Sequence, residues 1–184
     1  TGLHDGDLVE RNALAPWLSC LDEVRVADSG TPGKVTLWYD GYEFDTAGNH
    51  MTYGAYDSNS GVVGTTAQAR SGSWSAEFEA KTGLADGWSK HKSTVGYQNI
   101  VVSYYRMSSE FTGTEHFVAR WFNGSTWTTL EDQTGSYGWT KKTYTLPASA
   151  NNNANFYLWI YVTGSGTSAK KAYVDMVSIE GTAQ

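Results

Sequence analysis

A single cysteine, Cys20, stands in this chain of 184 residues, so no internal disulfide can form and no Cys/His spacing suits a metal. Its thiol is expected to be buried and structural. The lack of disulfides does not argue for the cytoplasm, because many exported domains have none. Basic runs are missing too: 13 Lys and Arg face 19 Asp and Glu, a formal net charge of -6. Nucleic-acid binding leans on cations that neutralise phosphates, so no nucleic-acid partner is expected. An acidic surface suits anionic lipid no better, and the apolar runs are too short to span a membrane. No signal-peptide pattern is present; Thr1 opens a polar stretch, and the sequence reads as a piece of something longer.

Catalytic signatures are also scarce. There is no G-x-S-x-G elbow and no H-E-x-x-H, and His4, His50, His91 and His116 are scattered. A glycosidase needs two carboxylates across a cleft. Glu77 and Glu79 alternate onto one face of WSAEFEA but lack a flanking acid–aromatic signature. A lyase would want a Tyr/His/Arg cluster, which Tyr105, His116 and Arg120 could mimic. The chain is therefore expected not to be an enzyme.

Aromatic residues, by contrast, are abundant: 14% of the chain, with twelve Tyr and eight Trp. That exceeds what one core of this size needs, and large rings with polar tips suit recognition surfaces. The length suits one domain, which buries about 70% of its unfolded surface.

Residues 1–33 are acidic and hold a helix-compatible stretch, Leu8 to Leu21, cut by Pro16. They read as a short irregular or partly helical lead-in, closed by the turn signal Ser29-Gly30-Thr31-Pro32-Gly33. Strand signals dominate residues 34–184. They cover Val35–Phe44, Trp74–Ala80, Ile100–Met107, Phe117–Phe122, Trp127–Leu130, Lys141–Leu146, Asn155–Val162 and Lys171–Ile179. Asn123-Gly124 marks a hairpin between two of them. Residues 45–70 and 81–97 read as long connections, functional loops or carriers of short strands. About eight or nine strands without helical crossovers imply an all-β, two-sheet antiparallel sandwich of jelly-roll type.

Residues 155–162, NFYLWIYV, carry the sharpest signal. Strand side chains alternate faces, so Phe156, Leu158, Ile160 and Val162 form a core face. Tyr157, Trp159 and Tyr161 share the opposite face, about 7 Å apart by strand rise. The same parity points Ile100, Val102, Tyr104, Phe117, Ala119 and Trp121 inward, and Tyr105 and Arg120 outward. If these strands are neighbours, Tyr105, Arg120, Tyr157, Trp159 and Tyr161 make one surface. A pyranose has an apolar C–H face that stacks on a ring and hydroxyls that seek planar partners such as Arg. The other reading is that the lead-in or the long connections cover this face as a second core. Trp88, Tyr97, Tyr137, Trp139, Tyr53 and Tyr56, in or beside loops, are candidates for a further rim site.

DGYE at Asp40–Glu43, ARSGSWSAEF at Ala69–Phe78 and AYVDMVSIEG at Ala172–Gly181 occur in that order, with NGSTWTTLED and WTKKTYTLP between the last two. Over residues 35–181 the chain resembles the calcium-containing β-jelly-roll carbohydrate-binding modules of polysaccharide-degrading enzymes. The resemblance implies a secreted, non-catalytic, monomeric module that holds an attached catalytic domain near a β-glucan, xylan or mannan. Long acidic polymers suit the net charge less, though Arg120, Lys170 and Lys171 leave room for local attraction. It also implies a structural Ca2+ joining the first strand to the last, with Glu43, Asp175, backbone oxygens around Ser71 and Ser73, and Asp40 as ligands. Calcium's appetite for carboxylate and carbonyl oxygen fits that set. Met176 departs from the family pattern, where a second aspartate is usual. The alternatives are a secreted adhesion or protein-interaction sandwich, and a jelly-roll glycanase or lyase.

Overall fold

The computed structural model describes residues 33–43, 52–55, 61–88, 93–164 and 166–184, with only the backbone of 52–55, 61 and 86–88. The lead-in up to residue 32, with Cys20, lies outside the described residues, as do Phe44, His50, Tyr56 and His91. The described chain is an antiparallel two-sheet sandwich, as the strand spacing predicts.

One sheet has six strands: β3 (Gly61–Thr65), β4 (Ser75–Ala80), β11 (Lys170–Ala183), β6 (Tyr97–Ser108) and β9 (Tyr137–Thr145) in order, with β1 (Lys34–Asp40) also on β11. The other has five, in the order β2 (Thr52–Ala55), β5 (Leu84–Trp88), β10 (Tyr157–Thr163), β7 (His116–Phe122) and β8 (Trp127–Thr134). We call it the aromatic sheet. β2, β3 and β5 occupy the segments 45–70 and 81–97, so these carry short strands as well as loops. They are short and contain Gly, which weakens a strand signal; their ladders come from β4, β5 and β10.

Alternation builds the core. Phe156, Leu158, Ile160 and Val162 of the β10 region are fully buried, and so are Ile100, Val102 and Tyr104 of β6 and Phe117 and Ala119 of β7. Trp121 stacks on Phe156 at 5.9 Å between ring centroids. Fully burying one such apolar side chain contributes about 1.5–3 kcal/mol, so this interior dominates stability.

One charged network crosses the interior. Glu131 of β8 accepts hydrogen bonds from the Tyr104 hydroxyl at 2.9 Å and Arg106 Nε at 2.9 Å, and a second from Arg106 Nη2. Lys142 Nζ lies 3.3 Å from the same carboxylate. A register shift in β8 explains its burial. Trp127 and Thr129 lie opposite the outward Phe122 and Arg120, but a bulge then sets Glu131 opposite the inward Ala119. Burial first, then the charge of Glu131, push the Tyr104 hydroxyl well above its ordinary pKa. The network ties the two sheets together beside their β8 and β9 edges.

Candidate functional site

The outer face of the aromatic sheet is built by β8, β7 and β10. Asn123 to Thr126 close the β7–β8 hairpin: the Asn123 side chain accepts from the Ser125 and Thr126 amides at 2.9 and 2.8 Å, and Gly124 takes φ +94. This turn sets Phe122 opposite Trp127, and Phe122 in turn pairs with Tyr157. The next row is Thr129, Arg120 and Trp159, and Val118 lies opposite Tyr161 in the row after. Across β10, the backbone of Trp88 pairs with Trp159.

Five rings form one continuous cluster. Centroids lie 5.0 Å apart for Phe122–Trp127, 6.1 Å for Phe122–Tyr157, 5.2 Å for Trp127–Trp159 and 4.5 Å for Trp159–Tyr161. Their planes tilt by 38–58°, so the rings lean on one another and do not stand as a flat ladder. Phe122, Tyr157, Trp159 and Tyr161 are half-buried, and Trp127 is 39% exposed. Arg120 stands among them, its Nε buried with no hydrogen-bond partner. Towards the far end of β7, His116 Nδ1 meets Asp132 Oδ1 at 2.6 Å. The face therefore grades from aromatic to polar along its strands.

Tyr157, Trp159, Tyr161 and Arg120 do share this face, but Tyr105 does not. β6 belongs to the six-stranded sheet, so Tyr105 points outward on the opposite side of the sandwich. The expected five-residue surface is corrected on that point, because parity sets inward or outward but not the sheet. The same separation dissolves the Tyr105, His116 and Arg120 cluster. Glu77 and Glu79 bracket Lys171 on the six-stranded sheet, with Nζ 2.7 and 3.2 Å from their carboxylates. They form an ion-paired patch. Phe122 and Trp127 were missed as site residues. The hairpin register and continued alternation past Trp121 carry the signal for both.

Two of the carboxylates implied by the resemblance, Asp175 and Glu43, meet at the 70–73 turn, where β11 passes from its pairing with β4 to its pairing with β1. β4 pairs with β11 up to Val174, and β1 pairs with it from Val177 onward. Asp175 fills the gap, beside a bulge where Met176 takes φ +53. Its side chain is buried, and Oδ2 accepts from the Arg70 and Ser71 amides at 2.9 and 3.0 Å. Oδ1 is buried with no partner. Burial raises the Asp175 pKa and the charge of Glu43 adds to this, against amide hydrogen bonds that lower it. Both Glu43 oxygens lie 3.2 Å from the Ser73 amide. Gly72 takes φ +63, where an L side chain is strained, and a Cβ there would sit 1.9 Å from Glu43 Oε1, so it would also displace the carboxylate. Asp40 Oδ1 accepts from the Tyr42 amide at 2.8 Å. Ser71 and Ser73 thus meet the carboxylates through N–H groups, where the resemblance implied oxygens. Among the described residues no group of three or more His, Cys, Asp or Glu is placed to share a metal ion. Asp175 Oδ1 is left without a hydrogen-bond partner there, and the charge of Glu43 reaches it.

No protein-family model and no curated protein matches the sequence. Solved structures are similar in fold. The K3 cleaved adhesin domain of Lys-gingipain from Porphyromonas gingivalis aligns at TM-score 0.61 and 11% identity, over 80% of this chain and 99% of that one. The C-terminal family 22 carbohydrate-binding module of Clostridium thermocellum Xyn10B aligns at 0.56 and 17%, over 80% and 93%. The CBM22-1 xylan-binding domain of Paenibacillus barcinonensis Xyn10C aligns at 0.55 and 15%, over 84% and 99%. At these identities the likeness establishes the fold, a sandwich common to carbohydrate-binding modules and adhesin domains.

Proposed function

We propose that this chain is a non-catalytic carbohydrate-binding module whose aromatic sheet holds a polysaccharide on its outer face. The observation that carries this is the unbroken cluster of Tyr157, Phe122, Trp127, Trp159 and Tyr161, part-exposed on one sheet face. Exposed apolar patches on a sandwich mark a partner. Arg120 would supply hydrogen bonds to sugar hydroxyls. The ligand is a neutral polymer of the β-glucan, xylan or mannan type. Fold likeness to a xylan-binding domain supports keeping xylan among them. In this reading the module is secreted, monomeric and attached to a catalytic domain.

Calcium belongs to the same proposal. Asp175 and Glu43 would hold it, its charge satisfying the buried Oδ1 and pinning β11 to the chain after β1. Carbonyls of the 70–73 turn would complete the shell; Asp40, engaged by the Tyr42 amide, stands outside any three-carboxylate group with them.

Affinity electrophoresis against xylan, mannan and mixed-linkage glucan tests the function. Retardation without release of reducing sugar supports the module. Turnover supports a glycanase or lyase. No retardation on any glycan favours an adhesion domain, a second reading prompted by the overlap with the K3 adhesin domain.

A further inference from the structure

The outer face of the six-stranded sheet carries a second, differently charged surface. Tyr105 lies between Asp175 and Lys141 in register. Arg70 Cζ stands 4.8 Å from its ring centroid and Lys141 Nζ 5.9 Å from it, both within cation–π range. Both cations are exposed. Neither makes an ion pair among the described residues, whereas Lys34, Arg106, Lys142 and Lys171 all meet carboxylates. The two charges lie no more than about 11 Å apart, close to one screening length in 0.1 M salt, so their fields overlap.

Beside that row runs a strip of small hydroxyl side chains. Ser178, Ser103 and Thr143 are in register across β11, β6 and β9, and the two serine Oγ atoms lie 3.0 Å apart. Tyr39, 49% exposed, pairs with Ser178 at the β1 end of the strip. Ser178 is buried, Ser103 half-buried and Thr143 exposed, so the strip opens to solvent towards β9, with Tyr39 beyond Ser178 and a cationic flank beside it. A lone small anion would use only the flank.

We infer that this face binds an acidic polysaccharide, with a uronate carboxylate against Arg70 and Lys141 and its sugar rings along the hydroxyl strip. The site is separate from the aromatic sheet and holds whether or not that face binds a neutral glycan. A duplex or single-stranded nucleic acid would ask for a longer cationic track than two side chains supply.

Gel retardation by sodium polyglucuronate tests it, at about 0.02 M and 0.5 M salt, since charge attraction fades with screening. The wild type should be retarded at low salt and released at high salt. The double variant Arg70→Ser, Lys141→Ser should bind at least tenfold more weakly, and Trp159→Ala should bind as the wild type does. Both substituted side chains are exposed, and a matching thermal melt checks that the variant folds. Ser103→Val is a second variant: it keeps both charges and should still weaken binding by blocking the strip. The inference is overturned by absence of retardation, by unchanged binding in the double variant, or by loss in Trp159→Ala alone. Equal competition by a single-stranded oligonucleotide overturns it in favour of a general polyanion surface.

Discussion

Replacing Glu131 by Ala removes the acceptor that two sheets share. Arg106 keeps a side chain only 3% exposed and loses both of its contacts to the carboxylate. Tyr104, fully buried, loses its 2.9 Å acceptor. Breaking a buried pair from one side costs about 3–5 kcal/mol, because the remaining charge is left uncompensated. The Tyr104 hydroxyl alone would cost about 1–3 kcal/mol, and it overlaps with the first figure since both share Glu131. For a chain of this length the loss corresponds to a melting point lower by about 6–20 °C. The contrast is Glu180→Ala, which breaks the Lys34–Glu180 pair with both side chains 25% exposed. That change should cost about 0–1 kcal/mol. Urea unfolding and thermal melts of the two variants give the comparison directly. A double change, Glu131→Leu with Arg106→Met, should recover most of the loss, because no charge is then left buried. If Glu131→Ala melts within about 2 °C of the wild type, the network does not hold the sheets together as argued.

Three further outcomes are expected. Glu115 is buried, which raises its pKa, but hydrogen bonds from the Thr112 amide at 2.7 Å and from the Thr112 and Thr114 hydroxyls outweigh this and lower it. A lowered carboxylate adds stability above its unfolded pKa and loses it as pH falls through the folded value, so Glu115→Gln should cost about 1–3 kcal/mol at pH 7 and much less near pH 3 in urea melts. Gly72→Ala should destabilise by more than about 1 kcal/mol, through its φ of +63 and the Glu43 contact; a silent substitution in a thermal melt would show the 70–73 turn to be unimportant. With calcium at about 100 times its dissociation constant, chelation by EDTA should lower the melting point by about 5–11 °C. Asp175→Asn should abolish that difference, and a melt indifferent to EDTA in the wild type would remove the metal from the account.

How much of this was legible in the sequence depends on the scale of each feature. The faces of β10 were, because Leu158, Ile160 and Val162 alternate with Tyr157, Trp159 and Tyr161, and burial follows side-chain chemistry at that spacing. The neighbours of β10 were not. Tyr105 has the right parity, but the chain switches sheets between β6 and β7, and nothing local records a switch. Glu131 fails for a related reason: alternation from Trp127 points it outward, and one bulge turns it in. β3 and β5, GVVGT and LADGW, are strands through their partners more than through their own residues. Asp175 and Glu43 came from a resemblance, and their shared turn became visible only with the fold.

Calorimetric titration of the polysaccharide that best retards the protein, into wild type and Trp159→Ala, tests the aromatic face most directly. Trp159 touches Trp127 and Tyr161, so its removal breaks the cluster at its centre. Affinity should fall at least tenfold, about 1.4 kcal/mol, with the melting point little changed. Undiminished binding by Trp159→Ala would place the ligand elsewhere on the molecule.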